Sequence, residues 1–380
     1  MRLHGLQYLR AAAALAVVYS HAAAQVPELA RALPQTGAFG VDVFFVISGF
    51  IMVWIARPED TPARFIVNRV RRVVPLYWFF TLLMAAILLV APSLFRNSVF
   101  DPAALALSLA FWPYESAAHP GELWPLVAPG WSLNYEMYFY ALFALSLFAP
   151  ARLRVPVVIG AIALVWALAH AVPGDAPPLV FHREAVVFEF AFGMLLAVAW
   201  RRGYTVPPIA GAALLVVGTV WLVLGPPLPH VLALSVPALA VVAGTLAIPA
   251  PRVGWGTLLG DASYALYLSH IFVLGAANRL IAAPVTAALG DGPLGAWTYV
   301  VLACAACTAV GVVVHLTIDG WLLRAERLGG LRPRAPGRLQ GGIEGPAPTA
   351  GEPVGEPARD PADALAGRDD TSGDRAAIGR

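Results

Sequence analysis

Apolar residues fall into ten long runs separated by short polar or proline-rich breaks, at about 8–26, 37–56, 73–92, 129–148, 155–172, 185–200, 207–224, 230–248, 261–283 and 295–319. A helix of about 20 apolar residues crosses the hydrocarbon of a bilayer. In lipid, such a run must pair its own backbone groups, so each run predicts a helix. The expected fold class is therefore all-α, a polytopic transmembrane helical bundle of about ten spans. A shorter apolar stretch, about 103–113, predicts a re-entrant or interfacial piece in the longest external loop. Within the first run, Ala22-Ala23-Ala24 resembles a signal cleavage site. The same run carries Arg10 and His21 and nine more runs follow, which favours an uncleaved first span. From residue 329 the chain turns rich in Gly, Pro, Asp and Arg and poor in large apolar side chains. The expected domains are a membrane domain over 1–328 and a disordered cytoplasmic tail over 329–380.

Composition sharpens this picture. The 380 residues are 59% hydrophobic and 13% charged, where an ordinary soluble domain has about 25% charged residues. That excludes a soluble globular enzyme and a wholly disordered chain. A net charge of +2 gives no reason to expect nucleic acid. All 25 basic residues are arginine, so no lysine enters any catalytic scheme. With ten spans, most arginines share one side, and only Arg31, Arg96, Arg183 and Arg279 fall on the other. The positive-inside rule then places both termini in the cytoplasm of a multi-pass inner (plasma) membrane protein. Cys304 and Cys307 stand three apart in an apolar run and read as small packing residues, neither a disulfide nor a metal site.

Ionisable residues inside apolar runs are expensive, roughly 2.5–3.5 kcal/mol each even on the gentlest scale, and so lead to function. Arg10 and His21 are eleven residues apart, which places them on one helix face with His21 about 16 Å further out. Asp42 enters the second run in Gly40-Val41-Asp42-Val43-Phe44-Phe45, and Glu136 enters the fourth in Trp131-Ser132-Leu133-Asn134-Tyr135-Glu136. All three lie in the outer half, where a carboxylate beside an imidazole would fix its tautomer and raise its basicity. A plain interhelical hydrogen bond is the structural alternative. On the cytoplasmic side, Arg69 and Arg72 share a face ahead of the third run and with Arg10 would form a cationic mouth for an anion. Basic residues also gather there for topology alone. His270 near mid-membrane suits substrate binding or a structural role, and His315 with Asp319 reads as a local pair. Tyr77, Trp78, Trp124 and Trp131 fit interfacial belts.

Several motifs in order resemble one family. They are Leu6-Gln7-Tyr8-Leu9-Arg10 with His21, Gly40 through Phe50, Arg69 and Arg72 leading into Val74-Pro75-Leu76-Tyr77-Trp78, Trp131-Ser132-Leu133 with Glu136, and Ser263 through Leu268 before His270. Over about residues 3–320 the chain resembles the acyltransferase-3 integral membrane acyltransferases, and within them the exopolysaccharide O-acetyltransferase branch. The resemblance implies transfer of an acyl group, usually acetyl, from acetyl-CoA (acyl-CoA) to a hydroxyl of a glycan or glycolipid. The family's essential histidine falls on His21, its first-span arginine on Arg10, and its arginine pair on Arg69 and Arg72. Asp42 and Glu136 occupy recurrent acidic positions. The expected scheme has the arginines hold the phosphates of CoA and His21 act as general base, with Asp42 or Glu136 orienting its ring. An acyl-histidine intermediate is a variant. No metal and no permanently bound cofactor is expected; the partners are the acyl-CoA, the acceptor and the bilayer. A transporter or flippase is the alternative, since intramembrane charges suit a carrier equally.

Overall fold

The structure is a computed structural model describing residues 3–32, 37–94, 100–290 and 292–321. The expected tail over 329–380 lies outside the described residues, as does Arg96. Every apolar run is helical. The elements are α1 (His4–Ala23), α2 (Pro27–Ala32), α3 (Gly40–Ile55), α4 (Pro62–Val90), α5 (Pro102–Leu109), α6 (Trp131–Ser146), α7 (Arg154–Ala171), α8 (Pro177–Arg183), α9 (Phe188–Arg201), α10 (Pro208–Leu224), α11 (Val236–Ala247), α12 (Gly254–Leu280), α13 (Ala282–Leu289) and α14 (Pro293–Val314). No strand occurs among the described residues, so the fold is all-α. Segments Pro62–Val90, Ala151–Ala171, Gly254–Leu280 and Pro293–Asp319 are long and apolar enough to cross a membrane. Helices Gly40–Ile55, Pro208–Leu224 and Val231–Ala247 are apolar but shorter.

α4 extends well past its apolar run. α4 begins at Pro62, capped by Thr61, whose Oγ1 accepts from Arg64 N. Proline at the first helical position and a threonine cap are start signals that hydropathy does not see. Arg64 to Arg72 therefore belongs to the same continuous helix as the apolar segment after it, which places Arg69 and Arg72 on the rigid N-terminal end of α4.

Close helix contacts rest on small residues, as expected where lipid is no poorer a solvent for leucine than protein is. A Cβ at Gly256 or Gly260 of α12 would strike Tyr8 or Gln7 of α1. Contacts rise together along both helices, from Tyr8–Gly256 through Arg10–Ser263 to His21–His270, so α1 and α12 run parallel. α3 and α9 also run parallel, from Asp42 beside Glu189 to Trp54 O accepting from Arg201 Nη2 at 2.9 Å. Gly49 abuts the Phe190 carbonyl and Gly193 the Val46 carbonyl between them. α10 and α11 form an antiparallel pair, in which Gly211 meets Ala247 and Gly218 meets Pro237. The side chains of Val216, Val217, Val220, Leu224, Leu89, Val90 and Val301 remain exposed on α10, α4 and α14. An apolar outer surface of this kind fits a hydrocarbon solvent.

The stretch 103–113 holds α5, eight residues long, tied to α4 by Trp78 Nε1 donating to Leu109 O at 2.9 Å. Tyr77 departs from the expected interfacial belt. It is fully buried, and its ring packs on Phe111 in the turn after α5. Cys304 and Cys307 are both free, as their helical spacing requires, and Cys307 is buried against α12.

Candidate active site

α1 and α12 bring His21 and His270 together. The His21 and His270 ring centroids are 4.9 Å apart at an interplanar angle of 55°. His21 Nδ1 lies 2.9 Å from the Val17 carbonyl, one turn back on its own helix. His270 Nδ1 lies 2.6 Å from the Tyr267 carbonyl. A carbonyl can only accept, so in the neutral rings each Nδ1 carries the proton and donates. Each Nε2 then presents a lone pair. His21 is exposed, whereas His270 is fully buried and its Nε2 has no hydrogen-bond partner. Burying such a nitrogen unpaired costs on the order of 1–3 kcal/mol, so the group is expected to meet a partner during function. Below His270, Tyr267 Oη donates to Pro129 O at 2.9 Å and lies 2.8 Å from Ser132 Oγ, tying α12 to the start of α6.

A second cluster lies deeper along α1. Arg10 Nη2 donates to Ser263 Oγ at 3.0 Å, and Arg10 is within electrostatic reach of Arg72, Asp261 and Glu136. Arg69 lies over the rings of Phe65 and Tyr140, at 5.7 and 6.0 Å, a cation–π geometry. Its Nε is buried without a partner. Glu136 accepts from Ser48 Oγ at 2.6 Å and from Tyr140 Oη. Arg72 is exposed at the mouth of this group. Gln7 Nε2 donates to Asp261 Oδ1 at 3.1 Å, and His315 Nδ1 pairs with Asp319 Oδ2 at 2.9 Å. The predicted grouping of Arg10, Arg69 and Arg72 is thus present. Two acids, Glu136 and Asp261, lie within reach of these three guanidinium groups and partly balance them.

The carboxylates do not stand where the sequence placed them. Neither Asp42 nor Glu136 bonds to His21; the Val17 carbonyl holds that ring instead. The reason is helix phase. Gly40 is the α3 residue that abuts Ala13 and Val17 of α1. Asp42 follows two residues later, about 200° around the axis, and so faces away from α1. It meets His230 Nε2 at 3.4 Å and Glu189 instead. Glu136 lies about a turn and a half into α6 and turns toward Ser48 and the arginines.

Sequence reading missed Ser48, Tyr140, Glu189, Tyr267 and His230. Glu189 carries the same signal as Asp42, a lone acid in an apolar run, Phe188-Glu189-Phe190-Ala191-Phe192. The others are polar residues of ordinary type, and only their neighbours mark them.

Residues 3–316 match the family model described as Acyltransferase domain. The chain is similar to the exopolysaccharide production protein ExoZ of Rhizobium meliloti (strain 1021), 39% identical over 302 residues, covering 77% of this chain and 91% of that protein. It is also similar to the acyltransferase MdmB of Streptomyces mycarofaciens, 27% identical over 373 residues, covering 88% of this chain and 95% of that protein. A third relative is the peptidoglycan O-acetyltransferase OatA of Listeria monocytogenes, 26% identical over 56% of this chain and 37% of that protein. No solved structure matches the chain. A family match over most of the length, together with apolar helices and polar clusters held inside them, leads to one conclusion: the chain belongs to this acyltransferase family and is a membrane acyltransferase.

Proposed function

We propose that this protein moves an acetyl group from acetyl-CoA to a hydroxyl of an exopolysaccharide or related cell-envelope glycan. One observation carries the reading. Two imidazoles stand ring to ring, each with Nδ1 bound to a backbone carbonyl and Nε2 left as an acceptor. Such a pair can take a proton from an alcohol and hold that alcohol in place. His21, the exposed member, is the base. As the acceptor oxygen attacks the thioester carbonyl, its proton passes to His21 Nε2. The C–S bond breaks, and the departing thiolate recovers that proton, leaving the ester and free CoA. His270 Nε2 accepts from a second substrate hydroxyl or orients the first. Direct transfer is favoured over an acyl-histidine, because nothing in the pair is needed beyond a base and an acceptor.

Arg10, Arg69 and Arg72 bind the phosphates of the donor. Guanidinium groups match phosphate oxygens bidentately, and Arg69 Nε is a buried donor still without a partner. Glu136, held by Ser48 and Tyr140, keeps Arg69 and Arg10 oriented when no anion is present. In this reading the chain crosses the inner membrane ten times with both termini cytoplasmic. CoA then enters from the arginine side and the glycan from the histidine side. The parallel pairs α1–α12 and α3–α9 support such an alternation. The glycan acceptor is favoured by similarity to proteins named for exopolysaccharide production and peptidoglycan O-acetylation. Membership in an acyltransferase family sets the transporter alternative aside.

The test uses the full chain in lipid nanodiscs. Acetyl-CoA binding is followed by calorimetry, and O-acetyl groups on surface glycans are followed by mass spectrometry. His21→Ala is expected to bind acetyl-CoA normally and to abolish acetylation. Near-normal acetylation by that variant would remove His21 from the chemistry. Absence of acetyl-CoA binding by the unmodified protein would rule out this donor.

A further inference from the structure

A third polar cluster lies apart from both groups above. Asp42 of α3, Glu189 in the first turn of α9 and His230, just ahead of α11, each offer one ligand atom, all within 4.8 Å of one another. His230 Nε2 is 3.0 Å from Glu189 Oε1 and 3.4 Å from Asp42 Oδ1. Ser235 Oγ donates to the same Glu189 oxygen at 2.9 Å. We propose that Asp42, Glu189 and His230 bind a divalent cation of the zinc class, with Ser235 holding Glu189 in place behind it.

Charge is the first reason. Two carboxylates sit together in the packed interior; the Glu189 side chain is wholly buried and that of Asp42 is 9% exposed. Among the described residues their only ion-pair partner is His230. Buried charges are retained where they are paired or ligate a metal. One divalent ion with two carboxylates and a neutral imidazole sums to zero.

Satisfaction is the second reason, and it is independent of charge. Glu189 Oε2 is shut off from water and has no hydrogen-bond partner. An ionised carboxylate oxygen can only accept; the Ser235 hydroxyl is spent on Oε1, and Asp42 can bond to Glu189 only through a shared proton. A cation would satisfy this oxygen with both acids ionised.

Geometry is the third. Zinc takes nitrogen at about 2.0–2.1 Å and carboxylate oxygen at about 2.0–2.2 Å, so tetrahedral ligand atoms lie roughly 3.4 Å apart. His230 Nε2 now bonds directly to Glu189 Oε1 at 3.0 Å and lies 3.4 Å from Asp42 Oδ1, so an ion replacing that bond needs the ligand atoms to move by only a few tenths of an ångström. One imidazole with two carboxylates suits zinc or a first-row neighbour better than calcium or magnesium, which take shells of oxygen. The backbone also favours the arrangement. Residues Val231–Ser235 form a π-helical turn between His230 and α11. In an α-helix His230 and Ser235 would point about 140° apart. The i→i+5 turn brings both onto Glu189, and π-turns of this kind gather at functional sites. Ser235 then plays the outer-shell part that fixes a ligating carboxylate. His230 is the accessible member, its side chain 32% exposed, and gives the ion a way in. The ion would clamp α3, α9 and the start of α11 together.

The experiment takes the full chain in detergent, strips it with EDTA, re-equilibrates it with zinc and removes excess metal. Elemental mass spectrometry and thermal unfolding are then measured. About one zinc per chain is expected, with unfolding raised by zinc and lowered again by chelator. Glu189→Gln and His230→Gln should fall to background zinc, while His170→Gln, at an exposed site elsewhere, should keep it. Ser235→Ala should keep the stoichiometry and weaken zinc affinity about tenfold. Background zinc and no thermal response in the unmodified protein would overturn the proposal and leave a shared proton as the glue of the cluster. Zinc retained equally by Glu189→Gln and His230→Gln would also overturn it. Should those two variants fail to fold, unchanged affinity in Ser235→Ala alone decides against it. These readouts do not depend on acyl transfer, so the outcome stands apart from that of the proposed activity.

Discussion

Gly193→Ala probes the joint on which two of the clusters depend. A Cβ at this position would be driven into the Val46 carbonyl and lie 2.7 Å from Phe50 N. Both are backbone atoms of α3, so no side-chain rotation relieves the clash. α3 and α9 must part at their crossing or distort. Overpacking of a close contact costs about 1–3 kcal/mol. The substitution also gains helix propensity, worth about 0.5–1 kcal/mol for Gly→Ala, so the net loss is about 0–2.5 kcal/mol with the centre near 1.2. Gly160→Ala in the middle of α7 isolates the propensity term, since a Cβ there meets nothing within 4 Å. It should stabilise by about 0.5–1 kcal/mol. Thermal unfolding of both variants in the same micelle is the assay. Gly193→Ala should melt a few degrees below Gly160→Ala, because 1 kcal/mol corresponds to about 2–4 °C in chains of 150–250 residues. It should also lose acyl transfer out of proportion to its stability. α3 carries Ser48, which holds Glu136, as well as Asp42, and both must keep register with their partners. If Gly193→Ala melts with or above Gly160→Ala and transfers normally, the α3–α9 crossing is not the constraint derived above.

Other outcomes follow from the same contacts. His270→Phe removes the buried, unpaired Nε2 but also the Nδ1 bond to Tyr267 O, so unfolding should shift by no more than about 1.5 kcal/mol while acyl transfer falls by at least tenfold; retained transfer would make His270 structural only. Reversing charge in Arg69→Glu with Arg72→Glu should weaken acetyl-CoA binding by about tenfold or more in calorimetry, and unchanged affinity would leave these residues a topological role. Tyr140→Phe deletes a donor to Glu136 and should cost about 1.5–3 kcal/mol in thermal unfolding, as for hydrogen bonds to charged groups; no loss would mean that Ser48 alone satisfies the acid.

Hydropathy by itself determined the all-α class and the centre of each long helix, though not the early starts of α4 and α12, because in lipid an apolar run has no other way to satisfy its backbone. The one-dimensional spacing of Arg10 and His21 also determined that they share a face of α1, and the spacing of Arg69 and Arg72 that they share a face of α4. What lay across from those faces was not in the spacing. His270 joins His21 because α12 runs parallel to α1 on glycines 256 and 260. Asp42 leaves His21 because Gly40, two residues earlier, takes the contact with α1 and turns the acid toward α9. Glu136 goes to Ser48 and the arginines for the same kind of reason, the phase of a short helix against its neighbours. Asp42, Glu189 and His230 sit on three separate elements and have no common motif, so only the packed bundle brings them within 4.8 Å. Periodicity fixes where a side chain points on its own helix; the rotation and register of the next helix decide what it meets.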